Sequence, residues 1–261
     1  MSAITKLVGS LLGPRAEAQD RFVRDHSNRV IHAFSSADEI DQIAVWDVLR
    51  ALVLSLHYIY EADVDGDVVE FGTMSGLTAT RIAKAMALLE NKNPSAATRR
   101  LFLFDSFEGL PEATADADKT AIHVRKGVWG AGTCKVLSQH ELMERCAREF
   151  DRSRIRIHAG WFSDTVSLLP DETKIAMMHV DCDLYQSTLD ALSPCFARGL
   201  VSEGAAICFD DWNPNRASPR HGERRAWAEL TSQFEIVASD YGPYSWGGHK
   251  FLIHSYKGIR P

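Results

Sequence analysis

The residues with the clearest capacity for chemistry are carboxylates that gather where apolar runs end. The run at 175–180 ends in Asp181-Cys182-Asp183, and the run at 205–209 ends in Asp210-Asp211. Carboxylates are costly to bury unpaired, and several brought together raise one another's pKa unless a cation offsets the charge. An all-oxygen donor set favours a hard ion such as Mg²⁺, with water and substrate oxygens completing its shell. A centre of that kind can bind a substrate hydroxyl, acidify it and hold it in line with an electrophile. Asp181 is the candidate base, and the same carboxylate is a candidate metal ligand, so both roles stay open.

Two further acids lie upstream. Glu70-Phe71-Gly72-Thr73-Met74-Ser75-Gly76 places an acid on an apolar run just ahead of a glycine turn. The pattern is not G-x-G-x-x-G, whose glycines admit a pyrophosphate. Its E-x-G-x-x-x-G form suits a cationic amino-acid cofactor such as S-adenosylmethionine, and the plain alternative is a turn joining strand to helix. Asp105-Ser106 ends the next apolar run, where a carboxylate can accept from a ribose diol or cap a helix.

These acids need a scaffold that brings strand ends together. Short β-branched or aromatic runs at 67–71, 101–105, 155–159, 175–181 and 205–210 alternate with helical stretches, the pattern of a parallel sheet with crossover helices. Runs at 234–238 and 249–254 are closely spaced, with Tyr241-Gly242-Pro243 and Gly247-Gly248 between them, and predict an antiparallel hairpin. Ligands of such sheets sit beyond the carboxyl ends of the strands, where the acids lie. Before the turn at Val64-Asp65-Gly66-Asp67 the signals are helical, with Ser36 and Glu39 spaced as a capping box and Ile40, Ile43, Ala44, Val48, Ala51 and Leu52 at helical period. Residues 1–60 are expected to form a helical cap, 61–261 the α/β domain, and 112–133 a long loop suited to a lid.

Composition narrows the class. The chain of 261 residues carries 29 Lys+Arg against 35 Asp+Glu, a net charge of −6, so no global positive field draws it to nucleic acid or anionic lipid. Five cysteines, none in a C-x-x-C pair, argue against a disulfide framework or a structural zinc site and suit a reducing cytoplasm. The first 21 residues are too polar for a signal peptide and read as mature sequence. The apolar stretch 43–60 is interrupted by Asp47, Arg50 and His57, which predicts a buried helix and no membrane span. Trp129 is a packing anchor or a lid residue, Cys182 a packing residue, and Arg220, Arg224 and Arg225 a solvated helix face. His221 and His249 have no nucleophile beside them in sequence.

Taken in order, the motifs resemble the macrocin O-methyltransferase family. The resemblance rests on Glu70-Phe71-Gly72 with Gly76, on Asp105-Ser106-Phe107-Glu108-Gly109-Leu110-Pro111, and on Gly160-Trp161-Phe162-Ser163-Asp164-Thr165. It continues through His179-Val180-Asp181-Cys182-Asp183-Leu184-Tyr185 with Ser187-Thr188, and Asp210-Asp211-Trp212, so it covers residues 66–212. It implies a Rossmann-like class I methyltransferase: a seven-stranded, mostly parallel sheet with an antiparallel C-terminal strand and helices on both faces. It further implies an enzyme that methylates sugar hydroxyls of natural products with S-adenosylmethionine and Mg²⁺. The cofactor contacts it implies are Glu70, Gly72, Thr73, Met74, Gly76, Thr78, Asp105, Ser106, Trp161, Phe162 and Asp181. Among these, Gly72 and its neighbours take the methionine part, Asp105 the ribose, and Trp161 and Phe162 the adenine. Asp181, Asp210 and Asp211 are the implied metal ligands, with Asp181 doubling as base. Related catechol-type enzymes carry a lysine where this chain has Leu184, so an acid base is expected. The loop Gly72-Thr73-Met74-Ser75-Gly76 lacks the Trp-Arg-Gly-Gly form of antibiotic-sugar members, and Trp212 stands where Tyr is usual.

The expected partner is a small-molecule hydroxyl acceptor, a sugar or glycoside, and self-association into a homo-oligomer through the N-terminal helical segment is open. Two other readings remain. Asp181-Cys182-Asp183 fits a metal-dependent glycosyltransferase binding a nucleotide sugar, and a non-catalytic cofactor-binding scaffold would use its acids only as turn caps.

Overall fold

The computed structural model describes residues 37–92 and 99–259. By packing, the chain divides into Met1–Trp46 and Asp47–Pro261. Of the first unit only residues 37–46 are described, the opening turns of helix α1 (Ala37–Glu61). The expected cap residue Ser36, and most of the expected N-terminal cap, lie outside the described residues.

The second unit is built on seven strands in the order β3-β2-β1-β4-β5-β7-β6: β1 (Asp67–Phe71), β2 (Leu101–Asp105), β3 (Ile155–Ala159), β4 (Ile175–Val180), β5 (Val201–Phe209), β6 (Val237–Tyr244) and β7 (Gly248–Ser255). β1 to β5 pair in parallel, and β7 runs antiparallel to both β5 and β6. All residues of β1 and β4 are buried, as expected of parallel strands covered on both faces. Asp67 ties β1 to β2 by accepting from the Arg100 amide at 2.6 Å and from Arg100 Nη2 at 2.8 Å.

One face is covered by α7 (Tyr185–Ala197) and α8 (Gly222–Gln233) over an aromatic core containing Phe196, Phe209, Trp227 and Phe251. The other face is covered by α1, α2 (Leu77–Lys92) and α5 (Gln139–Ala147) through Leu52, Leu56, Ile82, Met86 and Leu142. Each of these large side chains contributes about 1.5–3 kcal/mol of burial. The window Asp38–Glu61 is long and apolar enough to cross a membrane by length and composition. Its Leu52, Leu56 and Ile59 are fully buried in the protein core.

Three expected strands differ at their starts, β7 by the single residue Gly248. β5 begins at Val201 because a register irregularity opposite Ile175 and Met177 accommodates the polar stretch Ser202-Glu203-Gly204. β6 runs through Tyr241-Gly242-Pro243, expected as a connection, because Gly242 at φ 91° absorbs a bulge and Pro243 lies on an edge strand. Residues 234–236, expected to open that strand, instead close α8, with the Phe234 amide donating to Leu230 and Glu235 at φ 52°. The expected lid at 112–133 is not a plain loop. It carries two single-turn helices, α3 (Asp116–Lys119) and α4 (Ile122–Arg125), and buries Ala117, Asp118, Ala121 and Trp129.

Candidate active site

The strand order reverses between β1 and β4, so the crevice beyond their carboxyl ends is open to a ligand. A cavity of about 620 Å³ occupies it, reaching from Trp161 and Asp105 at one end to Asp181, Asp183, Asp210 and Asp211 at the other.

The glycine turn and the acids are in direct contact. Gly72 lies at φ 85°, and a Cβ there would stand 2.0 Å from the Asp181 carbonyl oxygen. Glycine is required because the turn passes the backbone leaving β4 so closely that no Cβ fits between them. Asp105 ties the same turn to β2: Oδ2 accepts from the Thr73 amide at 2.7 Å, Thr73 Oγ1 at 2.8 Å and the Met74 amide at 3.2 Å. Its Oδ1 accepts from the Phe107 amide at 2.7 Å. Asp105 therefore anchors two loops while also lining the cavity. Ser106 closes its own turn, donating to the Gly109 carbonyl at 2.8 Å. Trp161, 38% exposed, leads into α6 (Phe162–Thr165), and Phe162 packs edge-on against Phe71 at 5.6 Å.

At the acidic end, oxygens of Asp181, Asp183 and Asp211 come within 4.8 Å of one another. Burial, and then repulsion from Asp210 and Asp211, pushes the Asp181 carboxyl well above the usual carboxylate range. Asp183 rises through burial and Asp181, and Asp211 through burial and Asp183. Beneath them the fully buried Glu223 accepts from the Asp211 amide at 2.9 Å and the Cys182 amide at 3.3 Å, and burial followed by repulsion from Asp211 raises it as well. His179 opposes this negative charge. Burial pulls its imidazole down, but Asp210 and Glu70 outweigh burial and hold it well above its ordinary value. A converging all-oxygen donor set with depressed acidity fits a hard divalent cation.

Glu112, Thr114 and Asp118 of the 112–133 segment also line the cavity. Asp118 accepts from the Tyr185 amide at 2.7 Å and the Gln186 amide at 3.1 Å, so it caps α7 from another part of the chain. His221 Nδ1 meets the Ala117 carbonyl at 2.8 Å, and the His123 amide donates to Asn215 Oδ1 at 3.0 Å. Trp129 is buried and stacks on His123 at 4.7 Å, which makes it an anchor of this segment.

The Macrocin-O-methyltransferase (TylF) family profile matches residues 47–237. The chain belongs to that family. Among curated relatives, an 8-demethyl-8-(2,3-dimethoxy-alpha-L-rhamnosyl)-tetracenomycin-C 4'-O-methyltransferase of Streptomyces olivaceus is 31% identical over 158 residues, 57% of this chain and 54% of the relative. The demethyldecarbamoylnovobiocin O-methyltransferase of Streptomyces niveus is 29% identical over 156 residues, 58% of this chain and 54% of that protein. The chain thus spans about half the length of the curated relatives it matches. The O-methyltransferase NovP shares the fold at a TM-score of 0.63 and 22% identity, over 79% of each chain. The calicheamicin methyltransferase CalS11 does so at 0.61 and 20%, over 90% of this chain and 92% of the other. The fold is that of class I O-methyltransferases, as the resemblance implied, and the family match does not favour the glycosyltransferase alternative.

In this family member, the cavity wall takes in Gly72, Met74, Asp105 and Ser106, then Trp161 and Phe162, then Asp181, Asp210 and Asp211. Four residues expected at the cofactor do not line the cavity. Glu70 is fully buried and meets His179 Nδ1 at 2.8 Å, and Thr73 is buried against Asp105. Gly76 is packed against Leu137 and Leu142, where a Cβ would come within 2.9 Å of each, and Thr78 is half-buried in the first turn of α2. Asp183, which belonged to the recognised element but not to the expected ligand set, joins Asp181 and Asp211 in the tightest cluster, while Asp210 turns one oxygen toward His179. Glu223 and Asp118 were missed. The only sequence signal for Glu223 is an acid in the first turn of α8. His249 faces Asp240 at 2.7 Å and stacks on Trp212, and Arg225 pairs with Glu229.

Proposed function

We propose that this protein is an S-adenosylmethionine- and Mg²⁺-dependent O-methyltransferase acting on a hydroxyl of a sugar or glycosylated small molecule. The observation that carries the reading is that one cavity, in a member of this family, joins a glycine and aromatic corner to a cluster of converging carboxylates. S-adenosylmethionine supplies an electrophilic methyl group. Mg²⁺, held by Asp181, Asp210 and Asp211 with Asp183 beside them, supplies positive charge that makes an acceptor hydroxyl more acidic.

The chain's own groups supply the rest. Trp161 and Phe162 offer apolar faces for an adenine, and Asp105 retains acceptor capacity for a ribose hydroxyl beside the donors it already binds. The Gly72 turn and Met74 border the position of the methionine part. Asp181 takes the acceptor proton, and Glu112, Thr114 and Asp118 border the same cavity. Glycoside acceptors are supported by the rhamnosyl-tetracenomycin named for one relative. The same reading takes the acceptor as a free small molecule in the cytoplasm and leaves self-association to a sedimentation measurement.

The test is calorimetric titration with S-adenosylhomocysteine, with and without Mg²⁺, on the wild type and on an Asp210→Ala, Asp211→Ala double variant. Nucleoside binding together with an Mg²⁺ site lost in the variant is expected. Binding of nucleotide sugars with none of S-adenosylhomocysteine would overturn the assignment, and nucleoside binding without any Mg²⁺ response would favour a scaffold.

A further inference from the structure

Behind the acid cluster lies a chain of three polar groups that the methyl-transfer scheme does not use. Glu70 on β1 and His179 on β4 stand opposite each other in the parallel register, and both are fully buried. Glu70 Oε1 and His179 Nδ1 are 2.8 Å apart, which fixes the plane of the ring. The other ring nitrogen, Nε2, points to the far side and has no hydrogen-bond partner among the described residues. What it faces is Asp210 Oδ1 at 3.9 Å, itself sealed from solvent and likewise without a hydrogen-bond partner among the described residues.

Two buried orphans facing each other across that gap call for an explanation, because a buried polar atom that has lost water and gained no partner is destabilising. The Asp210 side chain as a whole is 28% exposed although Oδ1 is sealed, so its access to the cavity runs through Oδ2. The amide of Asp210 is pinned by the Val180 carbonyl at 2.9 Å, which leaves rotation of the carboxylate as the motion available. A small rotation that brings Oδ1 onto Nε2 satisfies both orphans and sets the direction of Oδ2.

We propose that His179 is a positioning residue for Asp210: Glu70 holds the ring through Nδ1, and Nε2 closes on Oδ1 so that Oδ2 is presented to a cation in the cavity. This rests on the Mg²⁺ reading above and deepens it. A ligating carboxylate oriented by a buried hydrogen bond is the usual way a metal site acquires its geometry, and loss of such a partner typically weakens metal affinity about 10–100-fold. The ordinary alternative is a histidine that merely completes the core between β1 and β4.

Substitution separates the two. The amide nitrogen of asparagine falls near the place of Nδ1, and that of glutamine near the place of Nε2. Mg²⁺ is titrated into the S-adenosylhomocysteine complex of the wild type and of His179→Gln, His179→Asn and His179→Ala. S-adenosylhomocysteine affinity without Mg²⁺ and the melting temperature are measured beside it. His179→Asn and His179→Ala are expected to bind Mg²⁺ about 10–100-fold more weakly, with His179→Gln closest to wild type and nucleoside affinity unchanged in all three. Equal Mg²⁺ affinity in all four proteins overturns the proposal, as does a uniform loss of Mg²⁺ and nucleoside binding in step with melting temperature. If none of the His179 variants folds, Glu70→Gln carries the test: weaker Mg²⁺ binding with intact nucleoside binding is expected, and unchanged Mg²⁺ affinity overturns it. A wild type that binds the nucleoside but no Mg²⁺ removes the metal reading and this inference together, whereas unchanged variants beside an Mg²⁺-binding wild type remove only the inference.

Discussion

Replacing Gly72 by alanine tests whether the glycine turn and the acid cluster form one mechanical unit. Two costs apply. At φ 85° an alanine pays about 1–2 kcal/mol for left-handed backbone. Its Cβ would also stand 2.0 Å from the Asp181 carbonyl oxygen, an overlap that neither strand can relieve without moving the other. Overpacking of this kind costs about 1–3 kcal/mol more, for a total of roughly 2–5 kcal/mol. At about 2–4 °C per kcal/mol for a domain of this size, a mid-range loss of about 3 kcal/mol lowers the melting temperature by roughly 6–12 °C. Gly132→Ala is the control, since Gly132 lies at φ 78° with nothing within 4 Å and bears only the backbone cost. The assay is thermal unfolding of both variants, followed by calorimetric titration with S-adenosylhomocysteine. Gly72→Ala should melt below Gly132→Ala and bind the nucleoside more weakly, because the turn must withdraw from Asp181 to accept the methyl group. Equal melting temperatures with unchanged nucleoside affinity would refute the coupling.

Further outcomes follow from the same geometry. Asp181→Asn should nearly abolish turnover while S-adenosylhomocysteine still binds; full activity in a methyl-transfer assay would remove the base and metal role. Trp161→Ala should cost about 1–3 kcal/mol of nucleoside affinity if its exposed face stacks on adenine, and calorimetry showing no change would reassign that wall. Asp118→Ala strips the cap from α7 and should lose about 0.5–2 kcal/mol in urea unfolding. The pH dependence of Asp118 has a definite sign. Burial raises its folded-state pKa above the unfolded value of 3.8, so its contribution is fully present below 3.8 and is lost as pH rises through the folded value. Stability measured against pH should therefore shift in favour of Asp118→Asn across that window, and a parallel pair of curves would contradict it.

The strands that carry the site were legible because each is a short apolar run whose boundary coincides with an acid or a glycine. β1, β2 and β3 have the expected limits, and Asp105, Asp181, Asp210 and Asp211 lie where strand ends predict. The starts of β5 and β6 were not legible, since bulges at Ser202-Glu203-Gly204 and at Gly242 let polar or turn-forming residues remain in the ladder. Local pattern also failed wherever a residue's partner is remote in sequence. Asp118 reads as one acid among several in a polar stretch, yet its role is set by the bare amides of α7, 67 residues away. Glu70 reads as a cofactor ligand because it precedes the glycines, but β1 and β4 are neighbours, and that pairing turns it onto His179, 109 residues on. Alternation along a strand tells which residues share a face, and only the strand order tells what that face meets. The acids at strand ends project past the sheet and keep their meaning in any arrangement that brings the ends together. Acids within the strands take theirs from the neighbour, which is why Glu70 meets His179 in the core.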